Sequence, residues 1–191
     1  MNSSLMINSL KLSDAEFDRI VRANPEWNFE QTAAGDLIVV PPTGGTSSRK
    51  NLNLTQQLGN WVEANLNLGE GFDSNVLFVL PNGAKRSPDA SWVERRRWEA
   101  LSQQQQDGYV PLCPDFVVEL RSPTDALEEL QIKMQEYMDN GARLGWLINP
   151  QDRQVEIYHL GQPVEVLLAP LTLSGEDVLP GFVLNLQRIF V

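Results

Sequence analysis

Two acidic residues and one lysine are the side chains of this 191-residue sequence that fit a common chemistry. Asp89 opens one apolar stretch, Glu119 lies inside a second, and Lys133 belongs to a segment with helical periodicity. Carboxylate oxygens suit a hard cation such as Mg²⁺, which polarises a phosphate and lowers the pKa of a bound water. A nearby ammonium orients that water or offsets charge in the transition state. Together the three residues predict metal-assisted hydrolysis, although each one alone also has a structural explanation.

Alternation along the strand predicted over 114–121 sorts its residues between two faces. Side chains two positions apart share a face, so Glu119 shares one with Asp115 and Arg121. An ionised group on so apolar a strand is costly unless it is paired or binds a metal. The structural alternative is that Glu119 and Arg121 pair with each other or with neighbouring residues.

The helix predicted over 124–140 brings the lysine towards the sheet. Apolar residues recur on it at helical spacing and form one stripe: Leu127, Leu130, Met134, Tyr137 and Met138. At about 100° per residue, Lys133 lies about 40° beyond Tyr137, so its stem can follow apolar surface and deliver the ammonium near the sheet. The alternatives are ordinary snorkelling or an i,i+4 pair with Glu129.

The remaining elements complete a mixed pattern of helices and strands around a central sheet. A capping box at Ser13 and Glu16 predicts a first helix that ends near Ala23. Strands are predicted over 27–30, 36–40, 75–80, 87–93, 144–148, 154–159 and 164–168. Further helices are predicted over 52–66 and 94–101. Residues 103–107 are predicted to be a polar loop, and Asp125 and Glu128 are expected to cap the 124–140 helix.

The composition is that of a globular chain without disulfides. Apolar residues make up 42% of the chain and the net charge is −10, which disfavours non-specific binding to nucleic acid but permits a local basic patch. One cysteine and one histidine exclude an internal disulfide and a His-rich zinc site. With no secretory signal or membrane-length apolar run, we expect a cytoplasmic protein with one domain over 1–191. Its expected parts are a core over about 50–150, an N-terminal helix and hairpin over 12–42, and a C-terminal hairpin and tail over 151–191.

The stretch around and after Asp89 is basic and aromatic. Between positions 85 and 97, five basic residues stand against two acidic ones. Five basic residues are expected to guide the phosphate backbone of a nucleic acid to the acidic residues: Arg49, Lys50, Arg95, Arg96 and Arg97. A solvated helix face is the alternative. The glycine-rich residues 44–48 lack the Lys-Ser/Thr ending of a phosphate-binding loop, and they are predicted to form a flexible connection.

Three motifs carry a family resemblance in combination: Ser87-Pro88-Asp89, the run PDFVVELRSP over 114–123, and Lys133 … Tyr137 … Gly141 … WLINP over 146–150. Glu30 and the run GDLIVVPPTGG over 35–45 accompany them upstream. The combination resembles the Uma-two family, a group of restriction-endonuclease-like proteins in the PD-(D/E)XK nuclease superfamily, over roughly residues 12–170.

The resemblance implies an α/β (α+β) fold with a restriction-endonuclease-like core, in which helices flank a mixed central sheet. It also implies a Mg²⁺ (or Mn²⁺) site with Asp89 and Glu119 as the acidic residues of the motif and Glu30 as a further candidate ligand. Arg121 stands where the superfamily has a lysine, and Lys133 matches a lysine that the family carries on the following helix. The implied catalytic set is Asp89, Glu119, Lys133 and Arg121.

The leading hypothesis is a metal-dependent nuclease that hydrolyses DNA phosphodiester bonds, which requires Asp89 and Glu119 to share one ion. The alternative is a catalytically inactive nuclease-fold module for binding or assembly, which Arg121 and the net charge of −10 favour. The apolar hairpins after residue 150 also predict a homodimer.

Overall fold

The computed structural model describes residues 5–191, with side chains from residue 10 onward, as two β-sheets, a small hairpin and five helices. The helices are α1 (Asp14–Ala23), α2 (Gly45–Ala64), α3 (Arg95–Glu99), α4 (Gln103–Gln106) and α5 (Leu127–Asp139). The strands are β1 (Leu5–Lys11), β2 (Asn28–Gln31), β3 (Asp36–Val40), β4 (Gly69–Asp73), β5 (Phe78–Val79), β6 (Lys85–Arg86), β7 (Ala90–Glu94), β8 (Phe116–Leu120), β9 (Leu144–Asn149), β10 (Gln154–His159), β11 (Glu165–Leu168), β12 (Thr172–Ser174) and β13 (Val183–Asn185). Within this range no helix is long and apolar enough to cross a membrane.

The central sheet has six strands in the order β11-β10-β9-β8-β7-β4. β8 and β9 run parallel, and the other neighbouring pairs are antiparallel. Every residue of β8 and β9 is buried, as is typical of parallel strands covered on both faces. The predicted mixed sheet flanked by helices is confirmed, and the predicted 144–148 strand lies inside it as β9.

Two helices cover the two faces of this sheet. Leu58 of α2 belongs to the core cluster that contains Val118, whereas Met134 of α5 belongs to the cluster that contains Val117. Adjacent residues of β8 therefore face opposite helices, as alternation along a strand predicts. Each fully buried Leu or Met side chain contributes about 1.5–3 kcal/mol, so both helices are held firmly against β8.

The second sheet, with the order β1-β3-β2-β6-β5, brings the N-terminal hairpin to the central sheet. β2 and β3 form the predicted hairpin, and Gly35 in its turn has a φ of +89°, a value that favours glycine. α1 begins with the predicted capping box. Gln31 of β2 pairs with Lys85 of β6, so this sheet carries Glu30 to the segment that precedes Asp89.

The C-terminal tail packs back on the rest of the chain, as predicted. β12 and β13 pair as a hairpin, and Leu184, Leu186 and Ile189 are buried in the same core cluster as the apolar face of α2. The indole nitrogen of Trp61 donates a hydrogen bond to the carbonyl oxygen of Pro180 at 3.2 Å. β10 and β11 form the predicted hairpin at the edge of the central sheet.

Several element boundaries differ from the prediction. α2 begins at Gly45, so residues 44–48 start a helix and are not a flexible connection. The strand predicted over 75–80 is reduced to the two residues of β5. The strand predicted over 87–93 begins only at Ala90, because Pro88 has no N–H to donate to a ladder.

Two elements lie where the sequence predicts none. β4 contains Gly69 and Gly71 and lies in a segment for which no strand is predicted. A Cβ on Gly69 would lie 2.2 Å from the carbonyl oxygen of Val93, so only glycine allows the strands to approach. α4 replaces the loop predicted over 103–107, because Ser102 and Gln105 form a capping box.

The helix predicted over 124–140 is confirmed but begins later. α5 has Ala126 as its N-cap, without a side-chain hydrogen bond, so the predicted cap at Asp125 is wrong. The Asp125 carboxylate instead accepts a hydrogen bond from the backbone N–H of Ser122 at 2.8 Å and closes the preceding turn. Gly141 follows the helix with a φ of +103°, as expected of a terminating glycine.

Candidate active site

Asp89 joins three elements at one end of the central sheet. Its Oδ2 accepts a hydrogen bond from the backbone N–H of Leu120 at 2.7 Å, and its Oδ1 accepts one from the Asn51 side-chain amide at 2.8 Å. Asp89 therefore lies between the start of β7, the end of β8 and the first turns of α2. Burial raises the pKa of Asp89 despite these two hydrogen bonds, so its ionised form is stabilised incompletely by the surrounding protein.

Glu119 lies near the end of β8 and is 4% exposed. Its Oε1 is 2.8 Å from the Lys133 ammonium and accepts a hydrogen bond from the Tyr137 hydroxyl at 3.1 Å. Burial raises the pKa of Glu119 to about 8, with help from the negative charges of Asp89 and Glu30, because the attraction of Lys133 offsets these effects only in part. Its second oxygen, Oε2, accepts no hydrogen bond from the described residues and is open to a ligand.

Lys133 extends from α5 to the sheet, as its position beside the apolar stripe predicts. Its ammonium lies 2.8 Å from both Glu119 Oε1 and Glu30 Oε1, and 3.3 Å from the carbonyl oxygen of Ser87. Burial alone lowers the pKa of Lys133, but the two carboxylates outweigh burial and raise it. Lys133 is therefore a cation here, and no ion pair with Glu129 is present between residues 10 and 191.

Glu30 is 4% exposed and holds Lys133 from the side opposite Glu119. It pairs with Arg86 at 3.1 Å and accepts a hydrogen bond from the backbone N–H of Ser87 at 3.0 Å. Burial opposes its ionisation, yet the charges of Lys133 and Arg86 outweigh burial and lower the pKa of Glu30. Glu30 is thus an anion with two cationic partners.

Arg121 lies beside this cluster without joining it. Its Nε donates to the carbonyl oxygen of Asp125 at 3.1 Å, and its Nη1 lies 3.4 Å from Asn149 Oδ1 and 3.5 Å from Asp152 Oδ2. The ion pair with Glu119 that the structural alternative expects does not occur in the described part of the chain. Arg121 therefore follows β8 out of the sheet towards the loop after β9.

Three of the five predicted nucleic-acid-binding residues lie far from Asp89. Arg95, Arg96 and Arg97 follow β7, whereas Asp89 precedes it, and the five residues of β7 span about 17 Å at about 3.3 Å per residue. Arg97 pairs with Asp115 at 2.9 Å, and Arg95 pairs with Glu70 at 2.7 Å. Two of the three are thus engaged in ion pairs at the opposite end of the sheet.

The other two predicted nucleic-acid-binding residues lie on α2, on the same side as Asp89. Arg49 donates to the backbone oxygen of Val191 at 2.6 Å. Lys50 directly precedes Asn51, the residue that bonds Asp89. The five basic residues therefore do not form the single patch that the sequence suggests.

The three-carboxylate metal set predicted from the sequence is not formed. Between residues 10 and 191, no group of three His, Cys, Asp or Glu side chains is arranged to hold an ion. The Lys133 ammonium lies between Glu30 and Glu119, and the oxygens of Glu30 are already bonded to Lys133, Arg86 and Ser87. The carboxylates that remain for a cation are Asp89 and Glu119.

Asp89 and Glu119 fit a hard cation without a third carboxylate. Mg²⁺ is usually bound through one or two carboxylates together with waters and substrate phosphates. The Oδ1 of Asn51 is buried without a hydrogen-bond partner in the described structure, and Glu119 Oε2 is likewise free. Burial raises the pKa values of Asp89 and Glu119, so a bound cation would stabilise their ionised forms. The free oxygens of Asn51 and Glu119 are further candidate ligands for that cation.

Sequence reasoning missed three residues of the cluster. Asn51 carries no sequence signal apart from its place on a helix, and Arg86 was counted only as one basic residue of a longer stretch. Tyr137 was assigned to the apolar stripe, but its hydroxyl bonds Glu119 at 3.1 Å. Arg86 directly precedes the Ser87-Pro88-Asp89 motif, so its proximity to Asp89 is the one signal that favoured it.

Comparisons with known proteins identify the fold and the family of this chain. The chain is similar in fold to a crystal structure described as "a putative nuclease belonging to DUF820" from Anabaena variabilis, with a TM-score of 0.77, 19% sequence identity, and coverage of 94% of this chain and 97% of that one. No curated protein matches the sequence. The model of the Uma2 family, described as "Putative restriction endonuclease", matches residues 14–187. The match spans nearly the whole chain, and the protein belongs to the Uma2 family.

Proposed function

We propose that this protein is a divalent-metal-dependent nuclease that hydrolyses DNA phosphodiester bonds. The observation that carries the proposal is the pair Asp89 and Glu119 at the ends of two neighbouring strands, with the Lys133 ammonium 2.8 Å from Glu119. Two carboxyl groups with pKa values raised by burial gain most from a cation. Membership of the Uma2 family supports the same chemistry.

Each residue of the cluster has a proposed role. Asp89 and Glu119 hold Mg²⁺ or Mn²⁺, which when bound polarises a phosphate and lowers the pKa of a water. Lys133 is placed to orient the attacking water and to offset negative charge on the phosphate. Glu30 is a positioning residue, because with Glu119 it fixes the Lys133 ammonium between two carboxylates.

A second candidate function is an inactive nuclease-fold module for binding or assembly. It is favoured by the ion network itself, in which the Lys133 ammonium already lies 2.8 Å from both Glu30 and Glu119 without a metal. A buried network with satisfied charges persists for structural reasons alone. This alternative predicts a folded protein that neither binds divalent ions nor cleaves DNA.

Cleavage of supercoiled plasmid DNA separates the two functions. Wild type, Asp89→Asn, Glu119→Gln and the control Glu129→Gln, an exposed carboxylate on α5, are purified in parallel and assayed with Mg²⁺, Mn²⁺ or EDTA. We expect metal-dependent nicking by wild type and Glu129→Gln, reduced at least about 100-fold in the two site variants. Equal nicking by all four proteins would indicate a contaminant, and no nicking by folded wild type would support the inactive module.

The homodimer and the cytoplasmic location stay predictions. Exposed apolar side chains on and near the edge strand β11, such as Val166 and Leu168, favour self-association at the C-terminal hairpin. The mass in solution at low concentration tests this directly, and a monomer would remove the homodimer.

A further inference from the structure

A small cavity of about 90 Å³ lies between the start of α2 and the loops that follow β8 and β9. The first turns of α2 form one wall through Thr46, Ser47 and Lys50, and the loops after β8 and β9 form the other, where Arg121 is the charged residue. We call this cavity the Lys50–Arg121 notch. Its volume equals that of about three liquid waters at about 30 Å³ each, which suits a compact polar group rather than a ring.

The Lys50–Arg121 notch carries positive charge without an acidic lining residue. Within the described residues, Lys50 makes no hydrogen bond and no ion pair, and burial together with the neighbouring Arg49 charge lowers the pKa of Lys50. Arg121 uses its Nε and Nη1 for protein contacts and leaves Nη2 without a protein acceptor in the described structure. The lining hydroxyls of Thr46 and Ser47 add donors, so the notch is built for an anion.

The two basic residues of the notch are close neighbours in the chain of residues in the candidate active site. Lys50 precedes Asn51, whose amide bonds Asp89 at 2.8 Å, and Arg121 lies two residues beyond Glu119 on the same chain segment. An anion in the notch therefore lies next to the group held by Asp89 and Glu119. Adjacent anionic groups on a regular spacing are what a polynucleotide backbone presents.

We propose that the Lys50–Arg121 notch binds a backbone phosphate of DNA adjacent to the phosphate that is cleaved. This inference rests on the proposed nuclease function and adds the path of the substrate. DNA crosses the start of α2 and the loop after β8, and it does not follow the Arg95–Arg97 segment at the opposite end of β7. Lys50 and Arg121 are then substrate-binding residues rather than carriers of protons, which accords with the poor proton-transfer chemistry of an arginine.

Binding of a fluorescent DNA duplex, measured by anisotropy with Ca²⁺ as the ion, tests the notch separately from cleavage. The variants are Lys50→Gln and Arg121→Gln, and the charge-matched control is Arg96→Gln. Loss of one phosphate contact lowers the slope of log K against log salt by about 0.9, which is about an eightfold weaker affinity at 0.1 M salt. We expect this change for Lys50→Gln, the same or a larger one for Arg121→Gln, and none for Arg96→Gln.

Two variants are used so that the test remains decisive if one of them does not fold. The Lys50 side chain makes no hydrogen bond or ion pair in the described structure, so Lys50→Gln is expected to fold normally even if Arg121→Gln does not. If Lys50→Gln and folded Arg121→Gln bind the duplex as tightly as wild type and metal-dependent cleavage is intact, the notch does not bind a backbone phosphate. The proposed nuclease function would not be affected by that result. Absence of both duplex binding and cleavage in wild type would overturn both proposals.

Inorganic phosphate distinguishes a backbone phosphate from a free anion. Thermal unfolding is followed with inorganic phosphate and with chloride at equal ionic strength. A backbone contact predicts little stabilisation by phosphate, because one weak contact is not reinforced by its neighbours. Phosphate stabilisation that is lost in Lys50→Gln, with unchanged duplex affinity of that variant, would make the notch a free-phosphate site and overturn the proposal.

Discussion

Asp115 and Glu119 share one face of the same β-segment and are almost equally buried, at 2% and 4% exposure, yet their surroundings differ. Asp115 Oδ1 pairs with Arg97 at 2.9 Å, and its Oδ2 accepts the backbone N–H of Glu94 at 2.8 Å. Glu119 has both of its protein contacts on Oε1. Asp115 is thus a completed structural contact, whereas Glu119 retains a free oxygen and a pKa of about 8.

Burial of a carboxylate alone therefore does not mark a functional site. A buried acid that is paired with its own cation and bonded through both oxygens, like Asp115, gains little from a further ligand, because its desolvation cost is already offset. A buried acid that shares one lysine with a second acid keeps unused capacity for a cation. Substitutions at Lys133, Asp115, Glu119 and Arg97 test this contrast between Asp115 and Glu119.

Removing the shared cation has the largest expected effect. Lys133→Met leaves Glu30 and Glu119 buried beside each other without their common partner, and breaking such a pair costs about 3–5 kcal/mol. Urea unfolding measures the loss. The double variant Lys133→Met/Glu119→Gln recovers part of it, and a loss below about 1 kcal/mol in the single variant would show that the network is not coupled.

Neutralising Asp115 and neutralising Glu119, at the two ends of β8, have opposite expected consequences for stability and cleavage. Asp115→Asn costs about 2 kcal/mol of stability through the weakened contact with Arg97, and it leaves metal-dependent cleavage per folded molecule unchanged. Glu119→Gln keeps most of the stability at pH 7, because burial opposes the ionisation of Glu119 and raises its pKa, but it abolishes cleavage. Unfolding and plasmid assays on both variants measure stability and cleavage. Loss of cleavage in Asp115→Asn would contradict a purely structural role for Asp115.

The pH dependence of stability sharpens the contrast further. The pKa of Glu119 is raised from its ordinary value of 4.5 to about 8, so above pH 4.5 the unfolded chain ionises before the folded one. The stabilisation from this group is complete below about pH 4.5 and is lost as the pH rises through 8, by at most about 1.4 kcal/mol per pH unit. The free energy of unfolding of wild type and Glu119→Gln is measured at pH 5, 6.5 and 8.5. We expect the variant to gain stability relative to wild type as the pH rises, and a difference that does not change with pH would contradict the raised pKa of Glu119.

The basic residues after β7 give the smallest effects. Arg97→Gln is expected to cost about 1 kcal/mol, since the guanidinium that bonds Asp115 remains 35% exposed. Arg96→Gln changes stability by less than about 0.5 kcal/mol, as is usual for a surface substitution. Thermal unfolding of the two variants measures the difference, and equal losses would mean that the Asp115 contact contributes nothing.

Local sequence patterns predicted the parts of the site that depend on one element at a time. The alternation around Glu119 and the helical position of Lys133 follow from strand and helix geometry, and the structure joins the two residues at 2.8 Å. The mixed sheet and its flanking helices follow from the same periodicities. Family resemblance then identified Glu30, which lies 103 positions before Lys133 in the chain.

The missed features depend on contacts between distant segments. Arg86 belongs to a two-residue strand, too short to leave a periodic signal, and its partners Glu30 and Glu136 lie on different elements. The three-carboxylate set failed because the sequence does not show that Lys133 occupies the space between Glu30 and Glu119. The separation of Arg95–Arg97 from Lys50 depends likewise on which end of β7 each segment occupies.

Calorimetric titration of Mn²⁺ tests directly whether Asp89 and Glu119 together bind a divalent cation. The titration is performed on wild type and on Asp89→Ala/Glu119→Ala, each with and without a short DNA duplex, after circular dichroism has shown that both proteins are folded. We expect Mn²⁺ to bind to wild type, and we expect this binding to be lost in the double variant. Folded wild type that binds no Mn²⁺ even with the duplex present, or a double variant that binds as wild type does, would contradict it.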